Sequence, residues 1–456
     1  MKTKLKFIDL FAGLGGIRLG FEQACQDRGI ETECVLTSEI KPYAIQTLKH
    51  NHHHENFAGD IFQVKNEDIP SFDFLFGGFP CQPFSASGKR NGFADTRGTL
   101  FFEIERIIKH HQPKGFILEN VEGLVKHDLE NKHDEIGRTL KTILDKLENE
   151  LGYQVSWKVL DSVNFGVPQS RKRVFIVGTK NEKVSLDNFE PTFKVLNDVL
   201  EKGKPTMDTD FTKKLLSHFT VEELYGKSIK DKRGGENNIH SWDIGVKGEC
   251  TKDQINLLNR LFKERRKKQW AIEIGIDWMD GMPLTLSQIE SFFPINNLFE
   301  SVDVKALLDD LVEKGYIKFE HPKKLVSEIT ENGAITSRMY DETKPKGYNI
   351  VTGKLSFEVN KILNPFEIAP TLVATDMVKI VVPDGKGIRK LTIREGLRIF
   401  GYPENYEIPV KESLAFDLLG NTVVVPVIKA VAERVLDALE ASEYEILETE
   451  TAGIRV

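Results

Sequence analysis

Lys6 to Phe11 is a short, largely apolar run, and Gly13-Leu14-Gly15-Gly16 follows it at once. Ile17, Gly20, Phe21 and Ala24 then recur at helical spacing. Strand, glycine turn and helix in immediate succession open a nucleotide-binding α/β unit, and no other feature narrows the fold as far. The glycines let backbone N–H groups and a helix N-terminus approach a ligand that side chains would block. The pattern then repeats. Cys34-Val35-Leu36-Thr37 ends in Ser38-Glu39, a run around Phe57 ends in Gly59-Asp60, and Phe72 to Phe76 leads into Gly77-Gly78-Phe79-Pro80-Cys81. A helix over 100–110, a strand over 115–118, a helix over roughly 130–150, and strands over 155–160 and 174–177 come next. Alternation over about 180 residues predicts an α/β fold with a doubly wound, mainly parallel sheet. Ligands of such sheets sit at the strands' C-terminal ends, where Glu39, Asp60, Cys81 and Glu119 all fall.

From Val184 to Lys386 the alternation breaks down. This stretch holds the turn Gly234-Gly235-Glu236-Asn237-Asn238, the basic run Lys263-Glu264-Arg265-Arg266-Lys267-Lys268 and three of the four tryptophans. It reads as a second domain built for contact, and 456 residues exceed what one core usually serves. Ile272, Ile276, Trp278 and Met279 are expected in its core, and the basic run reads as a solvated helix face before a phosphate clamp. A final helix with Val427, Ile428, Val431, Val435 and Leu439 on one face should pack back onto the sheet.

The whole chain carries a net charge of −7, which argues weakly against a polyanion partner. Yet the tail from Val431 holds seven acids against two arginines, which leaves residues 1–430 at only −2. Local clusters rather than totals govern nucleic-acid binding, so such a partner is permitted. No apolar run approaches the ~20 residues that span a bilayer, and the basic start lacks an apolar stretch behind it. A cytoplasmic protein without membrane contact is expected. Cys25, Cys34, Cys81 and Cys250 form no CxxC pair and read as free thiols. Consecutive histidines in His50-Asn51-His52-His53-His54 cannot all face one ion; a solvated helix end is expected there, and no metal.

The first turn, Phe11-Ala12-Gly13-Leu14-Gly15-Gly16, falls short of a full GxGxxG and would suit a dehydrogenase or a plain tight turn. An aromatic beside it suits a purine ring better than a pyrophosphate. Glu39, 26 residues after Gly13, is placed to bond ribose hydroxyls. Cys81 lies between Pro80 and Gln82 in a loop followed by Ser85-Ala86-Ser87-Gly88, poor surroundings for a buried structural cysteine. It is a nucleophile or a small loop residue. A thiol of pKa ~8.5 is mostly protonated at pH 7, so nucleophilic work needs cationic help. Arg171 and Arg173 in Gln169-Ser170-Arg171-Lys172-Arg173 are candidates. Glu119, closing an apolar strand before Asn120-Val121, is an acid with a desolvated carboxyl, a helix cap or a surface ion pair.

Six segments occur in order: Phe7 to Gly16, Gly78-Phe79-Pro80-Cys81-Gln82-Pro83-Phe84-Ser85, Glu119-Asn120-Val121, Gln169 to Arg173, Leu391-Thr392-Ile393-Arg394-Glu395, and Gly420-Asn421-Thr422-Val423-Val424-Val425-Pro426. Together they strongly resemble the DNA (cytosine-5)-methyltransferases of bacterial restriction–modification systems. The resemblance covers residues 5–180 and 386–436. Thr422 stands where serine is usual, and Phe400 and Tyr402 replace the more common Gln and Phe before Pro403.

The resemblance implies an S-adenosylmethionine-dependent (Rossmann-like) doubly wound sheet with a second, smaller target-recognition domain. It divides the chain into a catalytic part (1–183 and 411–440), a recognition part (184–385), a connecting motif (386–410) and an acidic tail (441–456). Cys81 would add to C6 of cytosine so that C5 takes a methyl group, with Glu119 protonating N3 and Arg171 and Arg173 holding the base carbonyl. Phe11 would stack on the cofactor adenine, Glu39 hold the ribose and Asp60 the adenine amine, with Gly13, Gly15, Gly16, Ile17, Pro80, Asn421 and Val423 completing the pocket. The cytosine must leave the stack to react. A loop over 84–99 with Ser85, Ser87, Lys89, Arg90 and Arg97, preceded by Gln82, would close over DNA. The implied enzyme is a monomer that uses no metal and acts on double-stranded DNA, with any cognate endonuclease acting independently. The related transfer-RNA branch carries a Cys-Phe-Thr motif in a shorter recognition region. Here that region's one cysteine lies in Glu249-Cys250-Thr251-Lys252. A DNA-binding regulator without activity would be expected to lose Cys81 or Glu119, and both are present.

Overall fold

The computed structural model describes residues 4–53, 56–79, 99–231, 237–293, 296–297, 300–301, 303–330, 333–351 and 357–453. Pro80, Cys81, Gln82, Ser85, Ser87, Lys89, Arg90 and Arg97 lie outside them. The chain forms two compact units. The first runs to Lys202 and resumes with Asn364–Val378 and again from Leu391; the second is Gly203–Leu363 with Lys379–Lys390.

A seven-stranded sheet is the frame of the first unit. Its strands are β1 (Leu5–Leu10), β2 (Thr32–Ser38), β3 (Phe57–Ala58), β4 (Phe74–Gly78), β5 (Gly115–Val121), β6 (Gln154–Asp161) and β7 (Lys172–Thr179), in the order β3-β2-β1-β4-β5-β7-β6. β1 to β5 pair in parallel, and β7 enters antiparallel between β5 and β6. β1, β4, β5 and β7 are buried along nearly their whole length, which is why they read as continuous apolar runs rather than alternating ones. Covering helices are α1 (Gly16–Asp27), α2 (Pro42–Asn51), α3 (Thr99–His111) and α4 (Arg138–Asp145). α4 starts later than the apolar spacing predicts, because Gly137 donates to Val125 O at 2.8 Å and has no room for a side chain against the His127 backbone. The segment before it is therefore tied into turns.

The helix Val425–Gly453 packs on α1, and their backbones meet at Gly20: a Cβ there would lie 2.6 Å from Ile428 Cβ. With the preceding helix Glu412–Asn421 it holds a stretch apolar enough to cross a bilayer, contrary to the expectation that none comes near. Of that stretch, 67% is buried within the protein, and Thr422 to Val424 interrupt the helix. Its apolarity is that of a core element. His52 likewise departs from the expected solvated helix end, since it is buried beside Gly15.

In the second unit Trp242, Leu257, Leu258, Leu261, Phe262 and neighbours form one core, and a five-stranded sheet carries another. Ile276 packs at the edge of the first core, but Ile272 is 78% exposed and Trp278 42% exposed. The short helix Lys268–Ile274 buries Trp270 and Ala271 and stops at Gly275, whose φ is +64°, so Ile272 faces outward.

Candidate active site

Every described residue of the expected site lies in the first unit. Between β1 and α1 the backbone turns left-handed at Phe11 (φ 59°), Gly13 (φ 56°) and Gly15 (φ 65°). Such φ values are strained for Phe11 and natural for glycine. A Cβ on Gly13 would meet nothing within 4 Å, so open space faces that turn. At Gly16 a Cβ would lie 2.7 Å from Val423 Cγ2 and 2.8 Å from the Tyr402 hydroxyl, so only glycine lets α1 begin against the Thr422-Val423 segment. No side chain caps α1 at Gly15, and its first N–H groups are left to other acceptors. Ile17 is buried behind the turn.

Glu39 follows β2 and accepts from three backbone amides: Gly13 N (2.8 Å) at Oε2, and Ile40 N (2.8 Å) and Lys41 N (2.9 Å) at Oε1. A carboxylate offers about four acceptor sites, so roughly one remains for a ligand hydroxyl. Asp60 follows β3, is exposed and caps the turn Ile61–Gln63 through Oδ1 to Phe62 N (3.1 Å). Asn421 is also exposed and donates to Asp417 O at 2.8 Å.

In the middle of the sheet, β4 and β5 place Gly78 opposite Glu119. A Cβ on Gly78 would lie 3.5 Å from Glu119 Oε2, and the described chain runs one residue further, to Phe79. Glu119 is buried and pairs through Oε1 with Arg173 Nε at 2.9 Å. Burial raises its pKa above the usual carboxylate range, while Arg173, and Arg171 behind it, pull the other way. Asn120 had no role in the sequence reading beyond its motif, yet its Nδ2 donates to Phe79 O at 3.0 Å and fixes the exit of β4.

Arg171 and Arg173 differ. Arg171 is buried, with Nη1 donating to Leu372 O (3.0 Å), Nη2 to Gly420 O (3.2 Å), and the Phe400 ring 5.4 Å from its Cζ. Burial and neighbouring Arg173 push its pKa down to about 9. It ties two later segments to the start of β7, whereas Arg173 reaches the carboxylate. Asp9 on β1 also went unread: it is 1% exposed, Oδ2 has no hydrogen-bond partner among the described residues, and burial pushes its pKa up to about 7. Its only signal in the sequence is a charge inside an apolar strand.

A family model described as C-5 cytosine-specific DNA methylase matches residues 5–437. The chain is 55% identical over 437 residues to the Type II methyltransferase M.NlaIV of Neisseria lactamica, covering 96% of this chain and 100% of that one. It is 40% identical over 456 residues to the Type II methyltransferase M.BanI of Aneurinibacillus aneurinilyticus, covering 94% and 95%. Among solved structures, the Entamoeba histolytica methyltransferase EhMeth matches with a TM-score of 0.52 at 15% identity, over 96% of this chain and 99% of that one. That likeness speaks to the Rossmann-like fold alone. On the family match over nearly its whole length, this chain belongs to the C-5 cytosine-specific DNA methylases.

Proposed function

We propose that this DNA methyltransferase methylates C5 of a cytosine flipped out of duplex DNA, through a covalent bond between Cys81 and C6. The observation that carries the reading is the buried Glu119–Arg173 pair, set opposite Gly78 where β4 leads within three residues to Cys81. Addition of the thiolate forms the S–C6 bond and moves the C5–C6 π electrons toward C5, with negative charge spread over the ring. Glu119 donates a proton to N3 as that charge develops, which its raised pKa favours. Arg173 holds the Glu119 carboxyl in place and turns a cation toward the base carbonyl. Arg171, bonded to Leu372 and Gly420, positions the strand that carries Arg173. Once C5 carries the methyl group, loss of its proton re-forms the double bond and expels Cys81.

The cofactor pocket belongs to the same proposal. The open turn at Gly13, the acceptor capacity left on Glu39 and the exposed Asp60 fit a nucleoside-bearing ligand. S-adenosylmethionine, when bound, supplies an electrophilic methyl group. Phe11, Gly15, Gly16, Ile17, Pro80, Asn421 and Val423 would line its site, and Gln82, Ser85, Ser87, Lys89, Arg90 and Arg97 would meet DNA. We assign target recognition to the region 184–385. The enzyme would act in the cytoplasm as a monomer and protect host DNA from an endonuclease that works independently.

The deciding experiment offers the protein labelled S-adenosylmethionine with duplex DNA or transfer RNA. Methyl transfer to DNA alone is expected, as is a denaturation-resistant adduct with DNA carrying 5-fluorocytosine at the target. Cys81→Ala should abolish both while DNA affinity stays within about tenfold. An adduct that survives in Cys81→Ala would overturn the assignment.

A further inference from the structure

Arg265 closes the helix Lys252–Glu264 in the second unit and is only 5% exposed, although it sits in the basic run expected to be a solvated face. Its Nη1 donates to Asn349 Oδ1 at 2.6 Å and to Ile350 O at 3.3 Å. The Phe262 ring lies 5.5 Å from Cζ. A Cβ on Gly281 would lie 3.0 Å from Nη2, 3.2 Å from Cζ and 3.6 Å from Nε, so only glycine fits beside the guanidinium there. The group is held rigidly.

What it lacks is a carboxylate in direct contact. Among the described residues no carboxylate lies within ion-pair distance of Arg265, and its buried Nε has no acceptor. The acids that influence it, Asp280 and Glu320, have other partners. Asp280 faces Arg266 at 3.5 Å, and Glu320 pairs with Lys318 while accepting from Asn349 (2.8 Å) and Tyr340 (2.9 Å). Burial, with Arg266 beside it, pushes the Arg265 pKa down to about 10. A buried cation without an anion is costly unless a ligand supplies one. Arg265 borders a cavity of about 490 Å³ whose wall also includes the cations Lys318, Lys323 and Arg338 and the carboxylates Asp277, Asp280 and Glu320, so four positive charges face three negative ones.

We propose that this cavity is a phosphate pocket for the backbone of duplex DNA, with Arg265 as its fixed floor and Lys323 and Arg338 as outer cations. The proposal rests on the DNA methyltransferase reading. A backbone phosphate is compact, anionic and protrudes from the duplex, so it can enter a concave site. A base edge stays inside its groove, and Arg265, pinned by Asn349, Phe262 and Gly281, cannot extend to reach it.

The test measures equilibrium binding of the full-length protein to target and scrambled duplexes between 50 and 200 mM salt. Arg265→Met and the double variant Lys323→Gln/Arg338→Gln should each weaken binding about tenfold at low salt, equally on both sequences. Each phosphate contact contributes about 0.9 to the slope of log affinity against log salt, so the Arg265→Met slope should flatten by about 1. The double variant alters outer side chains only and guards against misfolding of Arg265→Met, which a thermal melt would reveal. In a second arm, single methylphosphonate substitutions neutralise one DNA phosphate at a time. One position should weaken wild type about tenfold and leave Arg265→Met unaffected. Wild-type affinity and slope in both folded variants would overturn the pocket, as would a loss confined to the target sequence, which marks base reading. Altered binding of inorganic phosphate with unaltered DNA binding would mark a free-anion site and overturn it too. If wild type neither binds nor methylates duplex DNA, the enzyme reading fails with it; if it does both and the variants match it, only the pocket fails.

Discussion

Glu119 stands between opposing influences, since burial lifts its pKa and the Arg173 guanidinium 2.9 Å away lowers it. Arg173→Met should therefore raise the Glu119 pKa further. If the protonated carboxyl is the acid, the alkaline limb of kcat/KM against pH should move upward in the variant, even though the plateau falls. An unmoved limb would assign that ionisation to another group. Asp9 gives a stability prediction. Its folded pKa of about 7 lies above the ordinary aspartate value of 3.8, so folding favours the proton. That contribution is fully present below about pH 4 and is lost as pH rises through 7. Asp9→Asn should stabilise the protein at pH 8 by up to roughly 4 kcal/mol, with the gain shrinking toward pH 5. Urea titrations at both pH values check it; a pH-independent gain would mean that folding does not raise the Asp9 pKa. The sequence made Glu119, Arg171 and Arg173 visible as residue types in a motif. It could not separate the two arginines, because Leu372 and Gly420, which claim Arg171, lie 201 and 249 residues away. Asp9 and Asn120 were illegible for the same reason: their environments are made by other strands.

At the scale of elements, glycines carry the sharpest consequences. Gly20→Ala would place a methyl 2.6 Å from Ile428 Cβ and 2.9 Å from the backbone N of Lys429, and a backbone atom cannot step aside. Overpacking of this kind costs about 1–3 kcal/mol and should lower Tm by several degrees in a calorimetric scan. Gly59→Ala, with nothing within 4 Å, is the matched control and should stay within about 0.5 kcal/mol. Equal losses at both sites would remove close helix contact as the cause. β1, β4 and β5 were legible because their buried, continuous apolar runs lead into a glycine or an acid. α4 was misplaced at its start because apolar spacing does not reveal that Gly137 is jammed against the His127 backbone. Ile272 was misread because a helix of seven residues offers one buried face to a core of fixed size.

Across the whole molecule, the second unit is built from two separated stretches. The strand Lys361–Ile362 pairs with Ile380–Asp384, so its five-stranded sheet needs Lys379–Lys390 as well as Gly203–Leu363. Exchanging both stretches for those of a relative should yield a folded enzyme with an altered target sequence and the same methylated atom. Exchanging Gly203–Leu363 alone should lower stability, because the new strand meets the old partner. Retention of the original target by an active two-stretch chimera, read by bisulfite sequencing, would place specificity elsewhere. The contact between α1 and the helix Val425–Gly453 also has a temporal side. Gly20 and Ile428 are 408 positions apart, so at roughly 5–20 residues per second a ribosome needs on the order of 20–80 s to deliver one to the other. Throughout that interval the nascent first unit holds its glycine turn on a helix whose apolar flank has no cover. The step that completes this contact waits until the helix Val425–Gly453 has been made, and a flank left uncovered that long is exposed to aggregation.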